Sequence, residues 1–232
     1  MEASSYGPGA GAGRVGPGGA READVAPAPS VDPTAGRAAG FWEPANPAPL
    51  GLAGFAMTTF VLSMFNSNLV RPTGQFVVLG LALAYGGIAQ LLAGMWEFRT
   101  GNTFGAVAFS SYGAFWISFF VLLRLTPLPG LAPHALAVYL YAWAIFTGYM
   151  FVASLRTTAA VAMILLLLTV TFVLLGAANA GSNATVLHWG GYLGLATAAV
   201  AWYTSFAQVI NSTFGRVMLP LVPLAPRPAA TP

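Results

Sequence analysis

Acidic residues that could carry a proton or hold a metal are nearly absent from most of this chain. Glu2, Glu22, Asp24, Asp32 and Glu43 lie near the start, and Glu97 is the only acid after them. There is no cysteine, and His134 and His188 are the only histidines. From this inventory no metal-ligand set, carboxylate pair or nucleophile–base pair can be assembled. The reading is therefore not an enzyme, with no cofactor and no metal. An imidazole titrates near neutral pH, but His188 sits at the entrance of an apolar stretch, where an interfacial hydrogen-bonding role is the plainer expectation. Glu97 stands two residues before Arg99, so a screened surface ion pair is expected there. Gln90 and Glu97, seven residues apart, share one helix face. Gln90 follows Gly86 and Gly87 closely, which leaves its amide room to meet a partner.

The remaining polar residues within apolar stretches are neutral, among them Thr58, Thr59, Ser63, Asn66, Tyr85, Thr147, Thr171, Asn179 and Gln208. Taken singly, such residues mostly join helices to one another. Their neutrality also constrains what could pass between them. A small carboxylate stripped of water in apolar surroundings carries a large solvation penalty. Without a buried Lys or Arg to offset it, two routes remain. The solute stays partly hydrated past Thr, Gln, Asn and Tyr donors and the positive ends of helices at Asn46 and Asn102, or it crosses as the neutral acid. Both imply weak binding and fast passage. The same inventory suits water or ammonia equally well.

The elements that must position these residues are membrane helices. Of 232 residues, 57% are hydrophobic and 6% charged, against about 25% charged in soluble domains. Residues 1–42 alternate Gly, Ala and Pro with scattered charges and no apolar period, the composition of a disordered tail. A membrane domain follows over 43–215, and a Pro-rich tail over 216–232. Long apolar runs between the prolines predict six spans, at about 50–70, 76–97, 103–125, 134–156, 160–180 and 186–208. The fold class is an all-α integral membrane protein with short loops. Six spans put both termini on one side, together with Arg99, Arg156 and Arg216 near span ends; Arg71 and Arg124 lie opposite. The positive-inside rule makes both termini cytoplasmic, in a cell membrane. No basic cluster points to nucleic acid.

The membrane region opens with Asn46-Pro47-Ala48-Pro49-Leu50-Gly51-Leu52-Ala53-Gly54-Phe55. Asn ahead of Pro is a helix-entry signal, since Asn caps free N–H groups and Pro suits the first helical position. Gly51 and Gly54 allow close approach to the backbone. This stretch resembles the signature of the acetate uptake transporter family, which comprises bacterial acetate–succinate/proton symporters and fungal relatives. The likeness continues through Tyr85–Trp116, Tyr139–Phe151 and His188–Gly194, and ends near Phe214–Pro220.

That resemblance implies six helices per subunit, a homo-hexamer in the lipid bilayer and a separate solute path through each subunit. It implies small carboxylates (acetate, succinate) and protons as partners. A hydrophobic constriction is implied at Phe55, Tyr112 and Leu168, and solute-path residues at Thr58, Gln90, Asn179 and Ala201, with Asn46 at the entry. A dry constriction passes a small solute and penalises a hydrated ion. The long N-terminal tail, Arg71-Pro72 and the Pro-rich end depart from the bacterial pattern. Three alternatives stay open: ammonia or ammonium movement, a water channel suggested by the Asn46-Pro47-Ala48 tripeptide, and a non-transporting assembly or sensor subunit.

Overall fold

The structure is a computed structural model that describes Trp42 and residues 44–125 and 133–225. The expected tail over 1–42 lies, apart from Trp42, outside the described residues, as do the prolines Pro127 and Pro129 and residues 226–232. Among the described residues, six helices are long and apolar enough to cross a membrane.

The first, α1 (Ala48–Asn66), starts as its sequence requires. Asn46 Oδ1 accepts the Ala48 N–H at 3.0 Å, and the Pro47 carbonyl accepts from Gly51. The second span, Thr73–Thr100, is not one uniform helix. It begins as a 3-10 turn (Pro72–Val77), continues as α2 (Val78–Leu83), loosens into a π turn (Ala84–Ala89) and finishes as α3 (Gln90–Thr100). The π turn contains the Gly86-Gly87 pair and ends immediately before Gln90, and such turns often mark functional positions.

Gly101 closes α3 at φ +76°, a left-handed conformation that costs glycine nothing. The chain can then reverse in two residues into α4 (Thr103–Leu125). Next come α5 (Pro133–Ser154), α6 (Ala159–Gly181) and α7 (Ala184–Thr213). Side chains of Thr158 and Asn183 cap α6 and α7 by accepting from Val161 and Val186. The last helix is longer than its expected span of 186–208. Its 30 residues amount to about 45 Å at 1.5 Å each, more than a hydrocarbon core of about 30 Å.

Helix α7 packs between α1 and α6, while α3 and the π turn pack on α4 and α1. The π turn meets α1 at Gly54, where a Cβ would come within 2.5 Å of the Tyr85 carbonyl oxygen. On the other side of α1, a Cβ on Gly191 of α7 would collide with the backbone of Ser67. Small residues thus set the spacing on both flanks of α1. The core holds Phe55, Tyr112, Phe115, Trp116, Phe119 and Phe172. Large side chains such as Ile88, Leu92, Ile145, Val152 and Phe206 point outward, as expected of helices whose solvent is lipid.

Replacing Gly54 with Ala is expected to destabilise the bundle by about 1–3 kcal/mol through overpacking. Gly80→Ala is the control, because nothing lies within 4 Å of its added Cβ. Thermal unfolding of purified protein in detergent should show a lower Tm for Gly54→Ala and an unchanged or higher one for Gly80→Ala.

Candidate solute path

Two cavities lie inside the bundle, and they share walls at Phe55 and Leu168. The first, about 310 Å³, opens near the start of α1 and is lined by Asn46, Gln90, Asn102, Thr158, Gln208 and a run of apolar residues including Leu52, Phe109 and Leu165. The second, about 270 Å³, lies toward the end of α1 and is lined by Thr59, Ser63, Asn66, Trp116, Thr171, Asn179 and apolar neighbours. No Asp, Glu, Lys, Arg or His lines either cavity among the described residues.

Three helices contribute one bulky side chain each to the wall of the first cavity. Phe55 comes from α1, Tyr112 from α4 and Leu168 from α6, and each is at most 5% exposed. The Phe55 and Tyr112 rings lie 5.9 Å apart. Tyr112 lines the first cavity only. Its ring packs edge-on to Phe146, and its hydroxyl donates to Thr147 Oγ1 at 3.1 Å, which in turn donates to the Trp143 carbonyl. The tyrosine is therefore anchored to α5 at its polar end, which fixes the ring's direction.

One helical turn beyond the ring, α1 and α4 place Thr59 and Trp116 in the wall of the second cavity. Thr59 Oγ1 and Trp116 Nε1 are buried without a hydrogen-bond partner, as is Gln90 Oε1 in the first cavity. Unmet polar atoms in a protein interior are costly, and here their residues line the two cavities.

The first cavity gathers helix N-termini. Asn46 Oδ1 caps α1, Asn102 Oδ1 accepts the Gly105 N–H at 3.1 Å at the start of α4, and Thr158 caps α6. Asn46 Nδ2 also reaches Gln208 Oε1 at 3.4 Å. Each N-terminus adds partial positive charge. The cavity wall is uncharged among the described residues, and these three helix starts are its nearest sources of partial positive charge.

Not every expected path residue lines a cavity. Thr58 is fully buried, donates to the Gly54 carbonyl at 2.9 Å and packs against Gly86, and it lines neither cavity. Ala201 is likewise fully buried in the α7 core and lines neither. Asn179 does line the second cavity, with its Nδ2 donating to the Leu175 carbonyl. Glu97 does not form the expected surface pair with Arg99. It is 1% exposed and accepts from Thr100 and Asn102 instead, because its place on the Gln90 face turns it into the bundle while Arg99 faces out.

Residues 217–225 are tied to the bundle. Asn211 accepts from the Met218 and Leu219 N–H groups and donates back to the Leu219 carbonyl; Tyr203 donates to the Pro220 carbonyl. Ala159 donates to Val222, and Leu224 donates to Thr157. This strap runs from α7 to the α5–α6 link and brings Leu221 to the first cavity. The sequence shows only its prolines, which indicate extended chain but not where it docks.

Fold and site together define a class: a multi-pass helical membrane protein with two uncharged internal cavities that share walls at Phe55 and Leu168. The chain belongs to the GPR1/FUN34/yaaH family, whose profile matches residues 38–226. It is similar to the succinate-acetate/proton symporter SatP of Escherichia coli (strain K12), at 44% identity over 181 residues, 76% of this chain and 95% of that protein. It is also similar to ammonia transport outward protein 2 of Saccharomyces cerevisiae, at 42% identity over 185 residues, 75% of this chain and 65% of that protein. The solved structure of the bacterial acetate channel SatP superimposes with a TM-score of 0.73 at 40% identity, covering 77% of this chain and 99% of that one. The resemblance carried by the Asn46–Phe55 and Tyr85–Trp116 stretches is borne out, and the family is one of transporters rather than enzymes.

Removing the Asn211 side chain should free the strap. In Asn211→Ala, trypsin is expected to cut after the exposed Arg216 about tenfold faster than in the wild type, since cleavage there needs local opening. Mass spectrometry of the timed digest measures it.

Proposed function

We propose that this protein moves acetate, and other short carboxylates such as succinate, across the cell membrane through a path within each subunit. Import is coupled to protons or driven by their gradient. Both termini are cytoplasmic and the subunits form a homo-oligomer, taken to be a hexamer. The observation that carries this reading is the meeting of two uncharged cavities at Phe55 and Leu168, with Tyr112 beside them.

A carboxylate in the first cavity meets N–H groups at helix starts and the Asn46 and Asn102 amides, which favour an anion without gripping it. The ring excludes its water. Passage there favours a small solute and, at lower pH, its neutral acid form. Neutral partners beyond the ring (Thr59, Trp116, Asn179) receive it again. The yeast relative's name raises ammonia as a second solute. Cavity walls that present helix N-termini disfavour ammonium on the same electrostatic grounds.

Flux into proteoliposomes tests the reading. Labelled acetate uptake should be competed by acetate and succinate but not by methylammonium, and should rise when the outside is made acidic. Protein that moves no acetate, or is inhibited by methylammonium alone, would overturn it. Phe55→Ala and Tyr112→Ala should widen the ring and admit longer carboxylates. Wild-type rates and wild-type substrate ranking in both variants would place the constriction elsewhere.

A further inference from the structure

Glu97 has the burial of a core residue and the chemistry of an anion, and nothing in the path just described uses it. Its side chain is 1% exposed. Among the described residues no cation pairs with it; its partners are Thr100 Oγ1, which donates to Oε2 at 3.1 Å, and Asn102 Nδ2, which donates at 2.9 Å. Its Oε1 has no hydrogen-bond partner. An intramembrane acid left without a counter-ion calls for a role.

The surroundings are built to hold the carboxylate where it is. A Cβ on Gly105 would sit 2.5 Å from Asn102 Nδ2 and 2.7 Å from Glu97 Cδ, so only glycine admits this approach. The Asn102 backbone N–H also donates to the Glu97 carbonyl at 3.0 Å, which ties the two residues together twice.

Chemistry then fixes which way the Asn102 amide faces. The Gly105 N–H can only donate, so it needs the amide oxygen. An ionised Glu97 can only accept, so it needs the amide nitrogen. With Oδ1 committed to Gly105 and one amide hydrogen committed to Glu97, the second hydrogen is left over. Asn102 is exposed and lines the first cavity. It therefore offers the cavity a donor and no acceptor. Glu97 reinforces the hold of the Gly105 N–H on this orientation, since a turned amide would set its oxygen, which repels a carboxylate, against both partners.

We propose that Glu97 is a positioning residue for carboxylate entry: it holds the Asn102 amide so that a donor, not an acceptor, meets the solute. The proposal rests on carboxylate transport as the function and deepens it. Glu97 itself touches no solute.

The test is the concentration dependence of acetate flux in proteoliposomes carrying the wild-type chain, Glu97→Leu, Glu97→Gln, Asn102→Ala and Glu97→Leu/Asn102→Ala. Loss of one hydrogen bond to a charged solute corresponds to about a tenfold change in affinity. Glu97→Leu is expected to raise KM about tenfold with the maximal rate within about twofold. Glu97→Gln keeps an acceptor oxygen for Asn102 and should stay near the wild-type KM. Asn102→Ala should raise KM to the same extent, and the double variant should be no worse than Asn102→Ala alone, because both changes remove one donor. An unchanged KM in Asn102→Ala overturns the proposal, even if Glu97→Leu does not fold. So does a Glu97→Leu effect that persists in full on the Asn102→Ala background. A wild-type protein that moves no acetate overturns the transport reading itself, whereas wild-type flux with unaltered variants overturns only this inference.

Discussion

An ion leaving water for a narrow protein interior loses solvation worth far more than any single hydrogen bond returns. This chain meets that constraint without a buried counter-charge in either cavity wall. What it supplies is partial charge spread over several groups: helix N-termini at Asn46, Asn102 and Thr158, and neutral side-chain dipoles. Spread in this way, the attraction at any one point is weaker than that of a fixed charge. Apolar side chains, Phe55 and Leu168, stand in the wall common to both cavities. A fixed Lys or Arg at mid-depth would bind more tightly and release more slowly, which works against passage.

The same constraint governs how the helices pack. Every backbone group in the apolar layer must be paired within its own helix, so the bundle cannot adjust by unravelling. It adjusts by spacing. Glycines at 54 and 191 bring α1 within backbone contact of the π turn on one flank and of its own C-terminal turn's partner, α7, on the other. The π turn in turn sets the rotation of α3, and with it the faces on which Gln90 and Glu97 sit, both 1% exposed. Close packing of α1 is thus a condition for the position of Phe55, and the π turn is a condition for the buried acid. Position at the ring and polarity at the entrance depend on the same contacts.

Burial divides the polar residues into two kinds. Thr58, Thr147, Thr197 and Thr204 are fully buried, and their hydroxyls return to a carbonyl one turn back in their own helices. They are satisfied, and they read as packing. Thr59, Gln90 and Trp116 have buried atoms with no partner and lie in cavity walls. Residues of similar type and depth differ because of which face of the helix they occupy, a difference of about 100° per residue.

The amino-acid sequence by itself determined the membrane class, six spans, the capped start at Asn46 and, through the Asn46–Phe55 and Tyr85–Trp116 motifs, the family. These follow from local composition, proline placement and short-range capping, which need no partner segment to be readable. Phe55, Tyr112 and Leu168 were legible as names carried by a resemblance, but their convergence was not, because hydrophobic letters in a lipid-facing helix look the same on every side. Only the tertiary structure decided that Thr58 and Ala201 belong to the packed core, that the C-terminal strap closes against Thr157 and Ala159, and that Glu97 turns inward to Asn102 rather than outward to Arg99. Each of those outcomes depends on helix rotation and on contacts between residues distant in the chain, and with no amphipathic period to report rotation, the one-dimensional pattern carries no record of it.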